Sequence, residues 1–318
     1  MRDVGVVYLY RFAEGEGPVR RFLATYCDHP AGVNHDLHVV FKGFPDSDAI
    51  ARGRALFEDI PINCVEHADI GFDIGSYRHA ATVVPNRRLL FLNTFSQILA
   101  DNWLAHFDRA LDLPGNGLVG ATGSWLANTA PYEATIKFLL DKMRGAPAQV
   151  RQSWQRDEGD DIHHVANPRR KRPIRRYLLA PVHYLLKLYE YGRYPNPHIR
   201  TNAFMMERDR FLSLNFSRLE TKSNVYKFES GRRSMTKQIL ALKLVPVVVD
   251  RNGNVYAVSE WKSSSTFWIN EQTNLIIADN RTSDYAQADQ WLRQRLENLA
   301  WVRPWDWSST HADLSGVV

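Results

Sequence analysis

Short runs of hydrophobic residues alternate with longer amphipathic stretches through the first third of the chain. Residues 4–10 form an apolar run rich in Val and Tyr, which is typical of a buried strand. Three further runs of strand length follow, at 36–41, 62–65 and 89–92. Stretches with helical spacing separate them, at 18–26, 48–58 and 75–82. This alternation predicts a parallel sheet with helices on its faces.

The rest of the chain continues the pattern less regularly. Further helices are predicted at 99–111, 177–189, 235–242 and 285–299, and further strands at 117–125, 198–206, 244–250 and 255–258. The sequence Arg251-Asn252-Gly253-Asn254 is typical of a tight hairpin turn between the last two strands. Residues 147–164 are polar and irregular, so we expect the least order there.

One stretch accounts for the net charge of +5 over 318 residues. It contains Arg169, Arg170, Lys171, Arg172, Arg175 and Arg176, and it leads into the amphipathic segment 177–189. Cations followed by such a segment fit an interfacial helix on an anionic membrane or a solvated linker, and both interpretations stay open here. A nucleic-acid-binding patch is disfavoured, because no nucleic-acid-binding motif accompanies it.

The cysteines and the lengths of the apolar runs indicate the cellular compartment of the protein. Cys27 and Cys64 lie in ordinary sequence and are expected to be reduced thiols of a cytosolic protein. The N-terminal apolar run is too short for a signal peptide. No run reaches the about 18 apolar residues that a membrane-spanning helix needs. We therefore expect a cytoplasmic protein that is soluble or peripheral at a membrane.

The first candidate site is a loop in residues 67–77, where two aspartates and two glycines follow a predicted strand. The carboxylates of Asp69 and Asp73 could accept hydrogen bonds from a base or a ribose, and Gly75 would let the backbone approach a ligand. Ser76 could cap the next helix and contact phosphate there. The alternative, which we favour from the loop alone, is an ordinary strand-to-helix turn.

The second candidate site is the end of the predicted strand 89–92. A metal-dependent transferase would need two carboxylates here to hold a divalent cation against a diphosphate. Asn93, Thr94 and Ser96 offer neutral oxygens instead, which could orient a sugar or a phosphate but bind Mg²⁺ weakly. A merely polar strand end is the alternative.

The third candidate site is the segment 227–236. Glu229 precedes a Ser-Gly turn and suits a general base, while Arg232 and Arg233 suit a diphosphate leaving group. Ser234 is predicted to cap the helix that follows. A capping turn with solvated charges is an equally good interpretation of these residues.

An acceptor pocket is the last candidate. His198, Arg200 and Asn202 alternate along a predicted strand and would therefore project to one side of it. Trp125, at the end of the predicted strand 117–125, is assigned to the same pocket. Trp261 and Trp268 could stack on a sugar, but core packing is the more common role of Trp and is favoured.

Taken together, these segments resemble a GT-A-type glycosyltransferase of bacterial surface-polysaccharide biosynthesis, akin to the rhamnan-synthesis transferases. The matching segments are GFDIGSY, RLLFLNTFS, GLVGATGSW, HIRTNAFMM, FESGRRSMT and ADNRT, and they occur in this order up to about residue 285. The resemblance implies a GT-A-like, Rossmann-like sheet that is mostly parallel and flanked by helices. It also implies a nucleotide-sugar-binding half at 1–130, a basic helical insertion at 131–195 that contacts a membrane, and an acceptor-binding, catalytic half at 196–318.

The resemblance also implies roles for single residues. Asp69 and Asp73 would lie at the nucleotide site, and Asn93 to Ser96 would stand where the family keeps its metal carboxylates. Glu229 would occupy the region of the inverting base. Because the usual Asp-x-Asp is absent, no cofactor is firmly predicted, and Mg²⁺ or Mn²⁺ stays open.

The predicted function is transfer of a hexose from a nucleotide-sugar donor to a glycan or lipid-linked acceptor in polysaccharide or lipopolysaccharide synthesis, with inversion at the anomeric carbon. Its expected partners are the donor, the acceptor and an anionic membrane surface through residues 169–189, with no nucleic acid. The alternative is a non-catalytic nucleotide- or carbohydrate-binding subunit of a biosynthetic complex.

Overall fold

The structure is a computed structural model that describes residues 2–130, 132, 133, 136, 175–216 and 218–303. The predicted irregular segment 147–164 and the cations at 169–172 lie outside these residues. The Cα atoms group into two units. The first comprises Met1–Ser124 and Pro197–Arg293, and the second comprises Trp125–Asn196 and Gln294–Val318.

The strands of the first unit follow the apolar runs of the sequence. They are β1 Val4–Arg11, β2 His35–Lys42, β3 Ile62–His67, β4 Arg88–Leu92, β5 Gln97–Ile98, β6 Asn116–Gly120, β7 Gly123–Ser124, β8 His198–Ile199, β9 Ala203–Glu207, β10 Val245–Val249, β11 Val255–Tyr256 and β12 Ile277–Ala278. Eight of them form one sheet in the order β11-β10-β6-β9-β4-β1-β2-β3, and two-stranded pairs join β12 to β5 and β7 to β8.

Most neighbouring strands of the large sheet run parallel. The pairs β1–β2, β2–β3, β1–β4 and β6–β10 are parallel. Strand β9 is antiparallel to both β4 and β6, and β11 is antiparallel to β10. The register pairs Arg11 with Lys42 and Lys42 with His67, so the carboxyl ends of the first three strands lie side by side.

Helices connect and flank the strands. They are α1 Glu16–Asp28, α2 Ser47–Ala55, α3 Phe72–Val83, α4 Trp103–Asp112, α5 Arg175–Tyr191, α6 Arg208–Ser213, α7 Lys222–Ser230, α8 Met235–Ala241, α9 Asn280–Gln287 and α10 Gln290–Trp301. The predicted α/β fold, with a mostly parallel sheet flanked by helices, is confirmed. No helix among the described residues combines the length and the apolar character that crossing a membrane requires.

The core of the first unit lies between the sheet and its helices, and aromatic residues fill much of it. The rings of Tyr8 and Phe22 stack with centroids 3.8 Å apart, which joins β1 to α1. Trp261 is fully buried and Trp268 is 5% exposed. Core packing, the role favoured for these two tryptophans, is therefore confirmed.

Three predicted elements differ from the observed ones. The predicted strand 198–206 is divided by a turn, where the Arg200 N–H donates to Thr122 O and Asn202 O accepts from the Asn93 N–H. The predicted helix 285–299 is two helices, because Asp289 accepts a hydrogen bond from the Leu292 N–H and starts a new one. The predicted strand 117–125 stops at Gly120 and resumes as β7.

Candidate functional site

A cleft of about 1120 Å³ opens at the carboxyl ends of the first four parallel strands. Arg11, Lys42 and His67 are the last residues of β1, β2 and β3, and Asn93 directly follows β4. All four line the cleft, together with residues from the start of α3 and the start of α7. Such an edge is where α/β sheets bind their ligands.

An ion-pair network forms part of the cleft wall. The Arg11 guanidinium donates two hydrogen bonds to the Asp69 carboxylate, at 3.0 and 2.7 Å. This partner lowers the pKa of Asp69. Lys42 is 1% exposed, and its Nζ donates to Phe72 O at 2.6 Å and lies 3.7 Å from Asp69 Oδ1. Burial lowers the pKa of Lys42, while the nearby charges of Asp73 and Asp69 oppose that shift.

The first turn of α3 forms the adjacent wall. Gly71 caps the helix with φ +69°, and a Cβ on Gly71 would lie 2.9 Å from the Cα of Gly75. Gly71, Asp73 and Gly75 all line the cleft, so the helix N-terminus, where backbone N–H groups lack helical partners, is at the ligand space. Burial raises the pKa of Asp73.

The prediction that Ser76 caps this helix is wrong. The helix begins at Phe72, so Ser76 lies in its second turn and is fully buried. Its hydroxyl donates to Phe72 O at 3.1 Å. The start was predicted too late because glycine disfavours helices. Here glycine is needed at position 71, since a side chain on this capping residue would clash with Gly75.

Basic and acidic side chains are balanced around the cleft, and the sequence motifs did not reveal the basic ones. The lining contains four Lys or Arg, four carboxylates and two His, namely Arg11, Lys42, Arg78, Lys222, Glu14, Asp69, Asp73, Glu220, His67 and His79. The imidazoles of His67 and His79 lie with centroids 4.8 Å apart. Burial, and then the neighbouring His79, lowers the pKa of His67. The position of Arg11 and Lys42 directly after apolar runs marks strand ends, but it does not show that these two ends are adjacent.

Hydrogen bonds hold the residues that follow β4 in a local turn. Asn93 Oδ1 accepts hydrogen bonds from Phe95 N–H at 3.0 Å and from the Ser96 hydroxyl at 3.1 Å. Asn93 and Thr94 line the cleft, while Ser96 is fully buried and does not. The Tyr8 hydroxyl donates to Thr94 O at 2.9 Å.

This strand end does not fit a divalent cation. Mg²⁺ and Mn²⁺ favour carboxylate oxygens, whereas the Asn93 oxygen is neutral and already accepts two hydrogen bonds. Within the described ranges, no group of three or more His, Cys, Asp or Glu is arranged to hold a metal ion.

A second cluster surrounds Glu229, in the last turn of α7. Its Oε2 accepts a 2.5 Å hydrogen bond from the Thr201 hydroxyl, and its Oε1 lies 4.0 Å from His198 Nε2. Arg200 Nη2 lies 3.5 Å from Asp279 Oδ2, and the Arg200 guanidinium packs over the Phe267 ring. The structure therefore brings the predicted base to the turn that carries the predicted acceptor residues, and it adds Thr201.

Asn202 belongs to the same turn, where its side-chain oxygen accepts from the Thr122 hydroxyl at 2.9 Å. Three other predicted residues lie apart from both groups. Arg232 and Arg233 are exposed, and neither lines the cleft. Trp125 belongs to the second unit, where its ring lies edge-on to Trp301 at 5.4 Å. The predicted cap Ser234 does accept from the Lys237 N–H, as expected.

The cleft and the Glu229 cluster are connected through α7 and by charge. Helix α7 contributes Lys222 to the cleft at its first residue and Glu229 to the cluster near its end. The Glu229 carboxylate is also one of the charges that raise the pKa of Asp73 in the cleft. The cleft and the Glu229 carboxylate thus occupy neighbouring parts of one unit.

No protein-family model and no curated protein matches the chain. Solved structures match part of it. A mannosyltransferase from Pyrobaculum calidifontis in complex with GDP-Man and Mn²⁺ is 15% identical, with TM-score 0.31, over 37% of this chain and 35% of that one. TarS 1–349 of S. aureus in complex with UDP-GlcNAc is 11% identical, with TM-score 0.30, over 38% and 34%.

A third solved structure is the glycosyltransferase GlyE of Streptococcus pneumoniae, which is 15% identical with TM-score 0.28, over 37% of this chain and 29% of that one. The chain thus spans about a third of the length of these proteins. Likeness this partial assigns neither an activity nor a ligand to the chain.

Proposed function

We propose that the protein is a glycosyltransferase that moves a sugar from a nucleotide-sugar donor to a hydroxyl of a glycan or lipid-linked acceptor, with inversion. The observation that carries this proposal is the cleft at the carboxyl ends of β1 to β4, where basic side chains and a helix N-terminus meet carboxylates. A nucleoside diphosphate linked to a sugar needs both, because its phosphates are anionic and its ribose and sugar donate hydrogen bonds.

The diphosphate is assigned to the basic part of the cleft. Lys42 is buried and held by Phe72 O, so its charge stays at a fixed place beside the first turn of α3. Arg11 is held by Asp69 in the same way. Cations fixed in advance stabilise a developing negative charge without reorganising. We assign the departing diphosphate to Lys42 and Arg11 rather than to the exposed Arg232 and Arg233.

The nucleoside is assigned to the acidic part of the same cleft. Asp69 and Asp73 offer carboxylate oxygens to base and ribose hydroxyls, and Gly75 permits a close backbone approach. Asn93 and Thr94 lie at the end of β4, where their polar groups can orient the transferred sugar. This division places the anionic diphosphate beside cations and the neutral hydrogen-bond donors of the nucleoside beside carboxylates.

Glu229 is assigned as the general base. Its carboxylate removes the proton from the acceptor hydroxyl, whose oxygen attacks the anomeric carbon from the face opposite the diphosphate. The bond between that carbon and the diphosphate oxygen breaks, and the leaving diphosphate carries away the bonding electrons. His198 lies beside this carboxylate, and Arg200 and Asn202 lie on the turn that Thr201 anchors to it; all three are assigned to the acceptor.

A screen of nucleotides and nucleotide sugars tests the proposal. We expect at least one nucleoside diphosphate to raise the melting temperature, since it binds only the folded protein. The matching nucleotide sugar should then release its nucleoside diphosphate faster when glycan acceptors are added. If no nucleotide binds, the proposal is wrong. Tight binding without turnover on any acceptor favours a non-catalytic binding subunit instead.

A further inference from the structure

Two cations of the cleft, Arg78 and Lys222, differ from the other two. Among the described residues, neither has a carboxylate within ion-pair distance. Glu220 lines the cleft as well, but it is exposed and pairs with neither of them. Asp69, by contrast, lies within ion-pair distance of both cations to which the donor diphosphate is assigned. Arg78 and Lys222 therefore keep their charges available for a separate anion.

Aromatic rings hold these two cations at the wall of the cleft. The Arg78 guanidinium lies over the Phe216 ring, 5.0 Å from its centroid, and Phe216 stacks on Phe228 of α7 with centroids 4.9 Å apart. The Lys222 ammonium lies 5.8 Å from the centroid of the Tyr226 ring. A cation over a ring face keeps N–H groups for other partners. Both cations thus belong to the part of the cleft between α3 and α7.

Helix α7 relates Lys222 to the proposed base. Lys222 is the first residue of the helix, and Glu229 follows seven residues later. This spacing places both on the same side of the helix, about 10 Å apart along its axis. Because Lys222 lines the cleft, this side of α7 is the one that borders it. A molecule whose hydroxyl lies at Glu229 can therefore extend along α7 to Lys222.

The cleft has room for such a molecule beside the donor. Its volume of about 1120 Å³ exceeds the roughly 300–1,000 Å³ that is typical of a site for one small ligand. Arg78 follows the first residue of α3 by six positions, which places it about 9 Å along the helix from the turn that holds Lys42. The donor diphosphate is assigned to that turn, so Arg78 lies beyond it.

A phosphate fits these two cations better than a carboxylate does. A phosphate monoester has three strong acceptor oxygens, so it can bind two N–H groups of an arginine and a lysine ammonium at the same time. A carboxylate has two oxygens, which the arginine alone can occupy. We infer that the acceptor carries a phosphate group about 10 Å from its reacting hydroxyl, and that Arg78 and Lys222 bind this group.

This inference rests on the proposed transfer activity and names the chemical class of the acceptor. The phosphate has two possible sources, a phosphorylated glycan and the diphosphate of a lipid carrier. Both present the same oxyanion to Arg78 and Lys222, so separate acceptors have to distinguish them.

Inorganic phosphate tests the subsite without the acceptor. Calorimetric titration should show one equivalent bound while a nucleoside diphosphate saturates the donor site. Lys222→Met and Arg78→Met should each raise the dissociation constant of phosphate about tenfold, as for one charge-assisted hydrogen bond. Arg218→Met is the matched control and should bind phosphate as the wild type does, because Arg218 is exposed and lies outside the cleft lining.

The two anion sites should fail separately. Lys222→Met and Arg78→Met should retain the affinity for the nucleoside diphosphate, whereas Lys42→Met should retain the affinity for inorganic phosphate. A failure of the phosphate subsite is therefore distinguishable from a failure of donor binding.

Matched acceptors test the subsite during transfer. A saccharide with a phosphate group should have a KM at least about tenfold lower than the same saccharide without it. Lys222→Met should remove this difference by raising only the KM of the phosphorylated form. A phosphorylated glycan and a lipid-linked saccharide diphosphate are compared in parallel, and the one that shows the difference identifies the source of the phosphate.

Several results would overturn the inference. If the nucleoside diphosphate prevents phosphate binding, Arg78 and Lys222 belong to the donor site. If Lys222→Met binds phosphate as tightly as Arg218→Met does, Lys222 forms no phosphate site. Equal KM values for the phosphorylated and unphosphorylated acceptors would also contradict it. So would a saccharide carboxylate that binds as well as the phosphate.

Discussion

The hydroxyl of Thr201 donates a 2.5 Å hydrogen bond to Oε2 of Glu229, and the Thr201 N–H approaches the same oxygen at 3.4 Å. One oxygen of the carboxylate is therefore anchored to the turn between β8 and β9. The other oxygen, Oε1, is on the side of His198 Nε2, 4.0 Å away. A carboxylate held by one oxygen presents its second oxygen in a defined direction, as a general base must.

Glu229→Gln should lower turnover at least about a hundredfold, which is the usual cost of losing a general base. Glutamine has nearly the same shape, so the dissociation constant of the donor nucleotide should not change. Steady-state kinetics and calorimetric titration measure the two quantities. The exposed Glu66→Gln serves as the control. Wild-type turnover in Glu229→Gln would exclude this residue as the base.

Thr201 should act as a positioning residue. Thr201→Val removes the hydroxyl donor and should lower kcat by about tenfold, the equivalent of one hydrogen bond to a charged group. The donor KM should change little, because Thr201 is outside the cleft lining. Thr201→Ser keeps the hydroxyl and should restore kcat. If Val and Ser lower kcat equally, the hydroxyl does not orient Glu229.

Gly71 should be essential for the start of α3. Gly71→Ala places a side chain at φ +69° and brings its Cβ within 2.9 Å of the Gly75 Cα, so both strain and a clash result. We expect Gly71→Ala to lower the free energy of unfolding by clearly more than about 1 kcal/mol, the cost of the left-handed backbone alone. Gly17 in α1 has a contact of only 3.6 Å and no positive φ, so Gly17→Ala is the control and should not destabilise the protein. Urea unfolding measures both.

The strands could be predicted more fully than the site. Residues 4–10, 36–41, 62–65 and 89–92 are mostly apolar runs, and buried parallel strands require such runs whatever surrounds them. The turn at residues 200–202 could not be predicted in this way. It exists because Arg200 and Asn202 bond to the ends of β6 and β4, which are about a hundred residues away in sequence.

Part of the cleft also followed from the sequence, because strand ends in a parallel sheet meet at one edge. Asp69, Asp73, Gly75, Asn93 and Thr94 all line the cleft. The basic residues there were missed for a physical reason. A single Lys or Arg after a strand usually points to solvent, and only the register of neighbouring strands brings Arg11 and Lys42 together.

Lys42→Met should weaken donor binding. Methionine keeps an unbranched apolar stem but removes the charge that Phe72 O holds beside α3. We expect the dissociation constant of the nucleoside diphosphate to rise about ten- to a hundredfold, as for a charge-assisted hydrogen bond. The exposed Lys262→Met should have no effect. An unchanged affinity in a folded Lys42→Met protein would place the diphosphate elsewhere.

Chelation should leave donor binding intact. The Asn93 oxygen is neutral and engaged by Phe95 and Ser96, so the nucleoside diphosphate should bind with EDTA about as tightly as with Mn²⁺. The double variant Asn93→Asp/Phe95→Asp supplies two carboxylates at this strand end and should make binding respond to Mn²⁺. Calorimetry under both conditions decides the point. A large loss of wild-type affinity with EDTA would show that a cation takes part.

Four histidines should make the protein less stable in acid. Burial lowers the pKa of His35, His38, His67 and His106. The unfolded chain has the ordinary histidine pKa of about 6.5, so below that pH it binds more protons than the folded chain does. The free energy of unfolding should therefore be highest above this pH and should decrease as the pH falls below it.

His38 allows this pH dependence to be assigned to one residue. Its Nε2 lies 2.7 Å from Asn86 Oδ1, and the side chain is 3% exposed, so protonation in the folded state would charge a buried ring. His38→Gln can keep a hydrogen bond to Asn86 and has no proton to gain. Its unfolding free energy should therefore fall less between about pH 7 and pH 5 than that of the wild type. Urea unfolding over this range measures the slope. Equal slopes in the wild type and in His38→Gln would mean that His38 does not contribute.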